Sequence, residues 1–329
     1  MRSPFARLAA LAALCLIALS ATPAEARHAA RRQVERTQVR TAVAPPSQQS
    51  GGLVEVSPQI TAHAHPALWL VSDHDTKIYL FGTVHALPKG IGWYEGPVAT
   101  AFEQSQELVT EILETDPAQM QAAVLARAVL PKDGKTLREL MTPANRTTFE
   151  AALKTYGLPE GSFDRLKPWY VAVFLSALPV IKDGFDPTNG VEQGLNARAK
   201  TVSRPHIALE TADYQLSLFD SLPQDVQLRY LAEVIETMPK ARNELTAMVD
   251  AWQRGDADTL ARLMNEDEDE PALTQKLLLD RNANWANWIK TRLDKPGTVF
   301  IAVGAGHLAG AGSVQQQLAA KGIASTRVQ

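Results

Sequence analysis

Cysteine occurs once in the 329 residues, at Cys15 inside an apolar N-terminal run, so the chain beyond it has no thiol to cross-link or to act as a nucleophile. Long apolar runs are also scarce. Leu8 to Leu19, preceded by Arg2 and Arg7 and followed by Ala24-Glu25-Ala26, reads as a secretory signal peptide over residues 1–26. It is too short for a comfortable membrane span. No later stretch approaches about 18 apolar residues, so no stable span is expected after signal cleavage. Nor is there an excess of charge. Removing residues 1–26 takes away two arginines and one glutamate and moves the formal charge from −3 to −4, which gives no handle for nucleic acid or an anionic membrane. The expected address is the periplasm or the exterior.

Several familiar catalytic patterns are missing as well. The chain contains no His-Glu-x-x-His, no Gly-x-Ser-x-Gly and no P-loop sequence. Gly304-Ala305-Gly306 follows an apolar run, but the third glycine of a dinucleotide turn is misplaced and the chain ends before the usual acid. Histidine is sparse too. Of seven, four (His28, His63, His65, His74) fall in the N-terminal lead-in, and only His85, His206 and His307 belong to the body.

Two of those three share one setting. Ile78-Tyr79-Leu80-Phe81 is an apolar, β-prone run ending in Gly82-Thr83-Val84-His85, and Val299-Phe300-Ile301-Ala302-Val303 ends in Gly304-Ala305-Gly306-His307. Each reads as a buried strand followed by Gly-x-x-His, with the glycine allowing a sharp turn. If the strands are sheet neighbours, both histidines reach the carboxyl edge, where open α/β sheets bind ligands. His206 begins a strand and is expected at the opposite edge.

In chain order, residues 27–65 combine a basic run with Pro45-Pro46 and Gly51-Gly52 and read as a disordered linker; the domain is expected over 66–329. Leu68 to Val71, a polar turn and Lys77 onward suggest a hairpin. A helix from Pro97 then leads to a strand over Leu108 to Ile112, a βαβ unit that favours a parallel sheet. Asp116-Pro117 and Thr142-Pro143 are helix starts. Residues 116–200 and 211–294 read as mostly helical, interrupted by a strand at His206 to Leu209. The acidic run Glu266 to Glu270 lacks the spacing of a calcium loop and reads as solvated. A final strand, a helix from Ser313 to Lys321 and a closing strand complete an α/β fold: a central, mostly parallel sheet from the N- and C-terminal parts, with a large helical insertion.

Two neutral imidazoles and a carboxylate suit a divalent transition metal, which could polarise a carbonyl and activate water for hydrolysis. Glu111, at the end of the second parallel strand, is the leading acid and Glu210 the second. Glu111 could instead pair with Arg281, and Glu210 could favour the start of the following helix. Arg281 and Asn282, on a helix with Trp285 and Trp288, could orient a substrate carboxylate or phosphate; the tryptophans read as core.

Taken together, Tyr79-Leu80-Phe81-Gly82-Thr83-Val84-His85, Glu111, Lys167-Pro168-Trp169, Leu209-Glu210-Thr211, Arg281-Asn282 and Val303-Gly304-Ala305-Gly306-His307-Leu308 resemble the TraB/GumN family, which includes the animal Tiki proteins. The resemblance implies a metal held by His85 and His307, with Glu111 as the associated acid. For Tiki-like members it implies metal-dependent peptidase activity with manganese or cobalt; zinc also suits the donors. The expected function is a metal-dependent hydrolase of peptides or proteins. The alternative is a non-catalytic periplasmic protein that sequesters a peptide or haem-like ligand.

Overall fold

The computed structural model describes residues 62–182, 184–265 and 271–329. The segment expected to be a signal peptide, most of the expected linker and the acidic run lie outside them. The domain reaches back past Leu68: β1 (Ala62–His63) pairs in parallel with β4 (Ile91–Gly92), and Ala64 is buried, so the last residues assigned to the linker belong to the domain.

The chain continues through β2 (Leu68–Ser72), β3 (Thr76–Thr83), α1 (Gly96–Gln104) and β5 (Glu107–Thr110) into α2 (Pro117–Ala128), α3 (Leu137–Leu140), α4 (Pro143–Thr155), α5 (Pro168–Lys182) and α6 (Val191–Thr201). After β6 (His206–Ala208) come α7 (Ala212–Asp220), α8 (Gln224–Thr237), α9 (Ala241–Gln253), α10 (Ala257–Asn265) and α11 (Pro271–Thr274). A π-helical turn (Gln275–Leu279) feeds α12 (Asp280–Arg292), then β7 (Gly297–Gly304), α13 (Val314–Ala319) and β8 (Thr326–Arg327). The expected helix starts are in place: Asp116 accepts the N–H groups of Ala118 and Gln119, and Thr142 that of Asn145.

Six strands form one sheet in the order β6-β5-β7-β3-β2-β8. β6, β5, β7 and β3 run parallel, while β2 is antiparallel to β3, giving the expected hairpin, and to β8. The C-terminal β7 inserts between β3 and β5, so the two Gly-x-x-His strands are direct neighbours over their full length. The helix between β3 and β5 therefore crosses over a strand supplied from the far end of the chain.

Alternation on these strands builds two cores. Ile78, Leu80, Val299, Ile301 and Val303 face Trp285, Ala286 and Ile289 of α12 and Val314 and Leu318 of α13. Phe81, Leu108, Phe300 and Ala302 face Val98 and Phe102 of α1, Val191 and Leu195 of α6, and Trp252 of α9. Such two-sided burial is what a parallel sheet covered by helices requires. The insertion has its own core, centred on Trp169, Phe219 and Tyr230. There the Lys167-Pro168-Trp169 motif is structural: Lys167 Nζ and Trp169 Nε1 both donate to Asp220 Oδ1, at 2.6 and 3.2 Å, tying the start of α5 to the end of α7. Among the described residues no helix is long and apolar enough to cross a membrane.

One local expectation needs correction. Gly82 does not end its strand in a sharp turn, because β3 runs through it to Thr83. Glycine is needed there for close approach: a Cβ on Gly82 would meet Ala305 Cα at 3.0 Å and Ala305 Cβ at 3.1 Å, and these are backbone-anchored atoms of the second motif. Gly82→Ala is accordingly expected to cost about 1–3 kcal/mol through overpacking, read as a lower midpoint in urea unfolding; an unchanged midpoint would contradict this account of the contact between the two motifs.

Candidate metal centre

The four parallel strands end at one edge, and each delivers a polar residue just beyond it: His85 after β3, His307 after β7, Glu111 after β5 and Glu210 two residues past β6. The pairing of β5 and β6 continues outward, with the Glu210 N–H donating to the Glu111 carbonyl at 2.8 Å, so the two acids leave the sheet side by side.

A cavity of about 40 Å³ lies over this edge, room for a few water molecules. Its floor is polar, made of Thr83, His85, Glu111, Arg281 and His307, and its roof apolar, with Leu245, Met248 and Val249 of α9, Leu260 and Met264 of α10, and Leu277 and Leu278 of the π-helical turn. The glycine of the second motif leaves space for this floor. A Cβ on Gly304 would stand 3.2 Å from Glu111 Oε1, 3.6 Å from His307 Cδ2 and 3.7 Å from His85 Nε2, so all three expected ligands surround one point.

Both rings are fixed through Nδ1. His307 Nδ1 lies 2.6 Å from Asn282 Oδ1, an acceptor, so the proton sits on Nδ1; Asn282 in turn donates from Nδ2 to the Gly312 carbonyl at 2.9 Å, which fixes its amide orientation. Nε2 is thereby left as a lone-pair acceptor, 3.1 Å from Arg281 Nη1 and 3.9 Å from Glu111 Oε1. Burial, followed by the charge of Arg281, lowers the His307 pKa to about 3, so the ring is neutral. His85 Nδ1 lies 2.5 Å from Glu192 Oε1.

Arg281 is nearly inaccessible, and all five of its N–H groups are used. Nε donates to Glu210 at 3.0 Å, Nη2 to Glu111 Oε2 at 2.6 Å and to Glu210 Oε2 at 2.9 Å, and Nη1 to the Leu277 carbonyl and to His307 Nε2, both at 3.1 Å. Gln215 Nε2 bridges the two acids at 3.0 and 3.1 Å, and Trp285 Nε1 donates to Glu210 Oε1 at 2.9 Å. Burial, the largest single influence, would raise the Glu111 pKa, but Arg281, the two histidines and the Gly304 N–H at 2.7 Å together outweigh it and hold the carboxyl well below the ordinary range.

This arrangement corrects three expected roles. Arg281 has no N–H left for a substrate anion, because the alternative pairing with Glu111 is the one realised. Asn282 is fully buried and spends both ends of its amide on His307 and Gly312, so it positions a ring and touches no substrate. Glu210 is saturated by Arg281, Trp285 and Gln215 behind the floor and does not line the cavity, which removes it as a catalytic acid or base. Trp285 is core, as expected, and also packs its ring 4.3 Å from that of His307. His206 stays out of the site, bound through Nε2 to the Thr110 hydroxyl at 2.7 Å. Sequence reasoning missed Glu192 and Gln215, which belong to no motif and meet the site only through helix packing.

The donors fit a divalent cation. Two imidazoles have Nδ1 held by oxygens and an ionised carboxylate stands beside them. Three carboxylates, Glu111, Glu192 and Glu210, against the single guanidinium of Arg281 leave two formal negative charges at a buried site. The ligand atoms are not gathered, and the His307 Nε2 lone pair accepts the Arg281 Nη1 N–H, which an ion bound there would have to displace. Among the described residues, the one group of three whose ligand atoms lie within 4.8 Å of each other is the exposed Asp73-His74-Asp75 of the β2–β3 turn, where Asp73 Oδ1 accepts the N–H groups of Asp75 and Thr76 as an ordinary turn does.

Over residues 67–327 the chain matches the model of the TraB/PrgY/gumN family. It belongs to that family. Within it, the chain is similar to the uncharacterized protein YbaP of Escherichia coli (strain K12), at 27% identity over 189 residues that cover 56% of this chain and 68% of that protein, and equally to YbaP of Shigella flexneri. No solved structure matches. The family match spans both Gly-x-x-His motifs, so the paired histidines lie within the matched region.

Two outcomes follow from the charges. Arg281→Met leaves Glu111 and Glu210 buried without their counter-ion and is expected to cost about 3–5 kcal/mol in chemical denaturation; a loss below 1 kcal/mol would contradict the ion network. The His307 pKa is depressed from 6.5, so below that value the unfolded ring takes a proton that the folded ring refuses, and stability falls as pH falls toward about 3. Glu111, depressed from 4.5, acts in the same sense only below that pH. Between pH 7 and 5, chelator-treated wild type should therefore lose roughly 1–2 kcal/mol more than His307→Gln. Equal losses would contradict the neutral, buried ring.

Proposed function

We propose that the chain is a metal-dependent hydrolase acting on peptides or proteins in the periplasm or outside the cell. The observation that carries this reading is the convergence of His85 and His307, each held through Nδ1 by a side-chain oxygen, on a cavity that also contains an ionised carboxylate. His85, His307 and Glu111 would hold the ion. A bound manganese, cobalt or zinc ion supplies Lewis acidity and a bound water of lowered pKa. Asn282 keeps the His307 lone pair on Nε2, where the ion would take the place of the Arg281 Nη1 N–H. Glu111, paired with Arg281, contributes fixed negative charge and stays ionised across the working range. The roof from α9, α10 and the π-helical turn faces the site with apolar side chains, which lowers the local dielectric and strengthens each of these interactions.

A peptide that reaches the three ligands would lie against the apolar roof. Met264 packs its flexible side chain against Gly306 in that roof. The apolar roof is also the feature that favours the alternative, a non-catalytic protein that sequesters a peptide or haem-like ligand.

Elemental analysis of the mature protein, offered manganese, cobalt and zinc in turn, is expected to find near-stoichiometric metal in the wild type and none in folded His85→Ala or His307→Ala. A peptide library should be cut only by the loaded wild type, with Glu111→Gln inactive. Failure to take up any of the three metals would refute the hydrolase reading, and metal or ligand uptake without turnover would favour sequestration.

A further inference from the structure

Glu192 carries no motif and lies 107 residues from His85 in sequence. The fold nevertheless brings its Oε1 to 2.5 Å from His85 Nδ1. We propose that Glu192 is the positioning residue of the first Gly-x-x-His: it fixes His85 as the Nδ1–H tautomer, as Asn282 does for His307, and so turns the Nε2 lone pair toward the cavity.

The chemistry leaves one arrangement. An ionised carboxylate only accepts, so the proton between the two groups belongs to Nδ1. In a neutral imidazole Nε2 then carries the lone pair, and this is the nitrogen that faces Gly304, Glu111 and His307. The same Oε1 accepts the Thr83 hydroxyl, which anchors the carboxylate to the end of β3, two residues before the ring it orients.

The backbone is built to bring Glu192 there. The Val191 N–H donates to the Val84 carbonyl at 3.0 Å, and Asn189 Nδ2 to the Leu87 carbonyl at 3.3 Å, pinning the start of α6 against the first motif. At Gly190 any Cβ would collide with the His85 carbonyl oxygen, so only glycine allows this approach. Glu192 then falls in the first turn of α6, where a negative charge is favoured. Two unrelated segments, one offering a carboxylate and the other an amide, therefore solve the same tautomer problem for two histidines that look alike in sequence.

The tautomer assignment stands without a metal; only the affinity arm of the test rests on the hydrolase reading. Long-range 1H–15N spectra of histidine-labelled, metal-free protein distinguish Nδ1–H from Nε2–H rings. His85 and His307 are both expected as Nδ1–H in the wild type. In Glu192→Ala, His85 should lose that state while His307 keeps it, which also reports that the variant is folded. Glu192→Gln, which retains an acceptor oxygen, should restore Nδ1–H with the proton resonance moved upfield. Binding of manganese, cobalt or zinc, read by competition with a chelating indicator, should weaken about 10- to 100-fold in Glu192→Ala and less in Glu192→Gln. An Nε2–H ring at His85 in the wild type, or an unchanged His85 tautomer in Glu192→Ala, would overturn the proposal. The expected tautomers in a wild type that binds none of the three metals would uphold the positioning role and reject the hydrolase.

Discussion

The structure depends on the burial of the Arg281 guanidinium between Glu111 and Glu210. Five N–H groups in a rigid fork reach two carboxylates, a helix carbonyl and an imidazole, joining the ends of β5, β6 and β7 to α12. Taking these charges out of water is costly, and only near-complete pairing offsets it. The π-helical turn contributes to that pairing, since its Leu277 carbonyl receives one N–H while Leu277 and Leu278 face the cavity. π-turns often mark functional sites, and this one serves the ion network and the apolar roof together.

From that network follows a division of labour across the cavity. The sheet edge supplies a rigid, polar floor whose protonation states are set by neighbours: His307 neutral, Glu111 ionised, His85 faced by a carboxylate. The helices supply an apolar roof without a charged residue. The floor itself balances one carboxylate, Glu111, against Arg281, and the further carboxylates Glu210 and Glu192 stand behind it; Arg281, spent on these partners, has nothing left for an anion. The two histidines are not equivalent. His85 has an anion at Nδ1, whereas His307 has a neutral amide there and a cation beside Nε2, so His85 should be the stronger donor of the two.

Much of this was legible in the sequence. The two apolar, β-prone runs ending in Gly-x-x-His were readable as buried strands, whereas their adjacency was a condition that only the β3–β7 pairing supplies. Proline beside Asp116 and Thr142 marked helix starts that the fold keeps. The acids and the Arg281-Asn282 pair were singled out and meet at one sheet edge, but the roles expected of Arg281, Asn282 and Glu210 are not the ones realised: residues of these types can face a ligand or each other, and a separation of 170 residues between Glu111 and Arg281 gives no clue to which. Gly82 was recognised for the wrong reason, since close approach by Ala305 is a tertiary fact. Glu192 and Gln215 were invisible because each sits on an ordinary helix surface pattern and gains meaning only from what that helix packs against. The one readable trace of Glu192 is Gly190 just before it.

The claim that both Gly-x-x-His motifs serve one ion is tested most directly by X-ray absorption at the metal edge, on protein reconstituted with one equivalent of cobalt or zinc. The account predicts two imidazole scatterers in the wild type and one in each of His85→Ala and His307→Ala. Fewer than two in the wild type, or two retained in either variant, would contradict it.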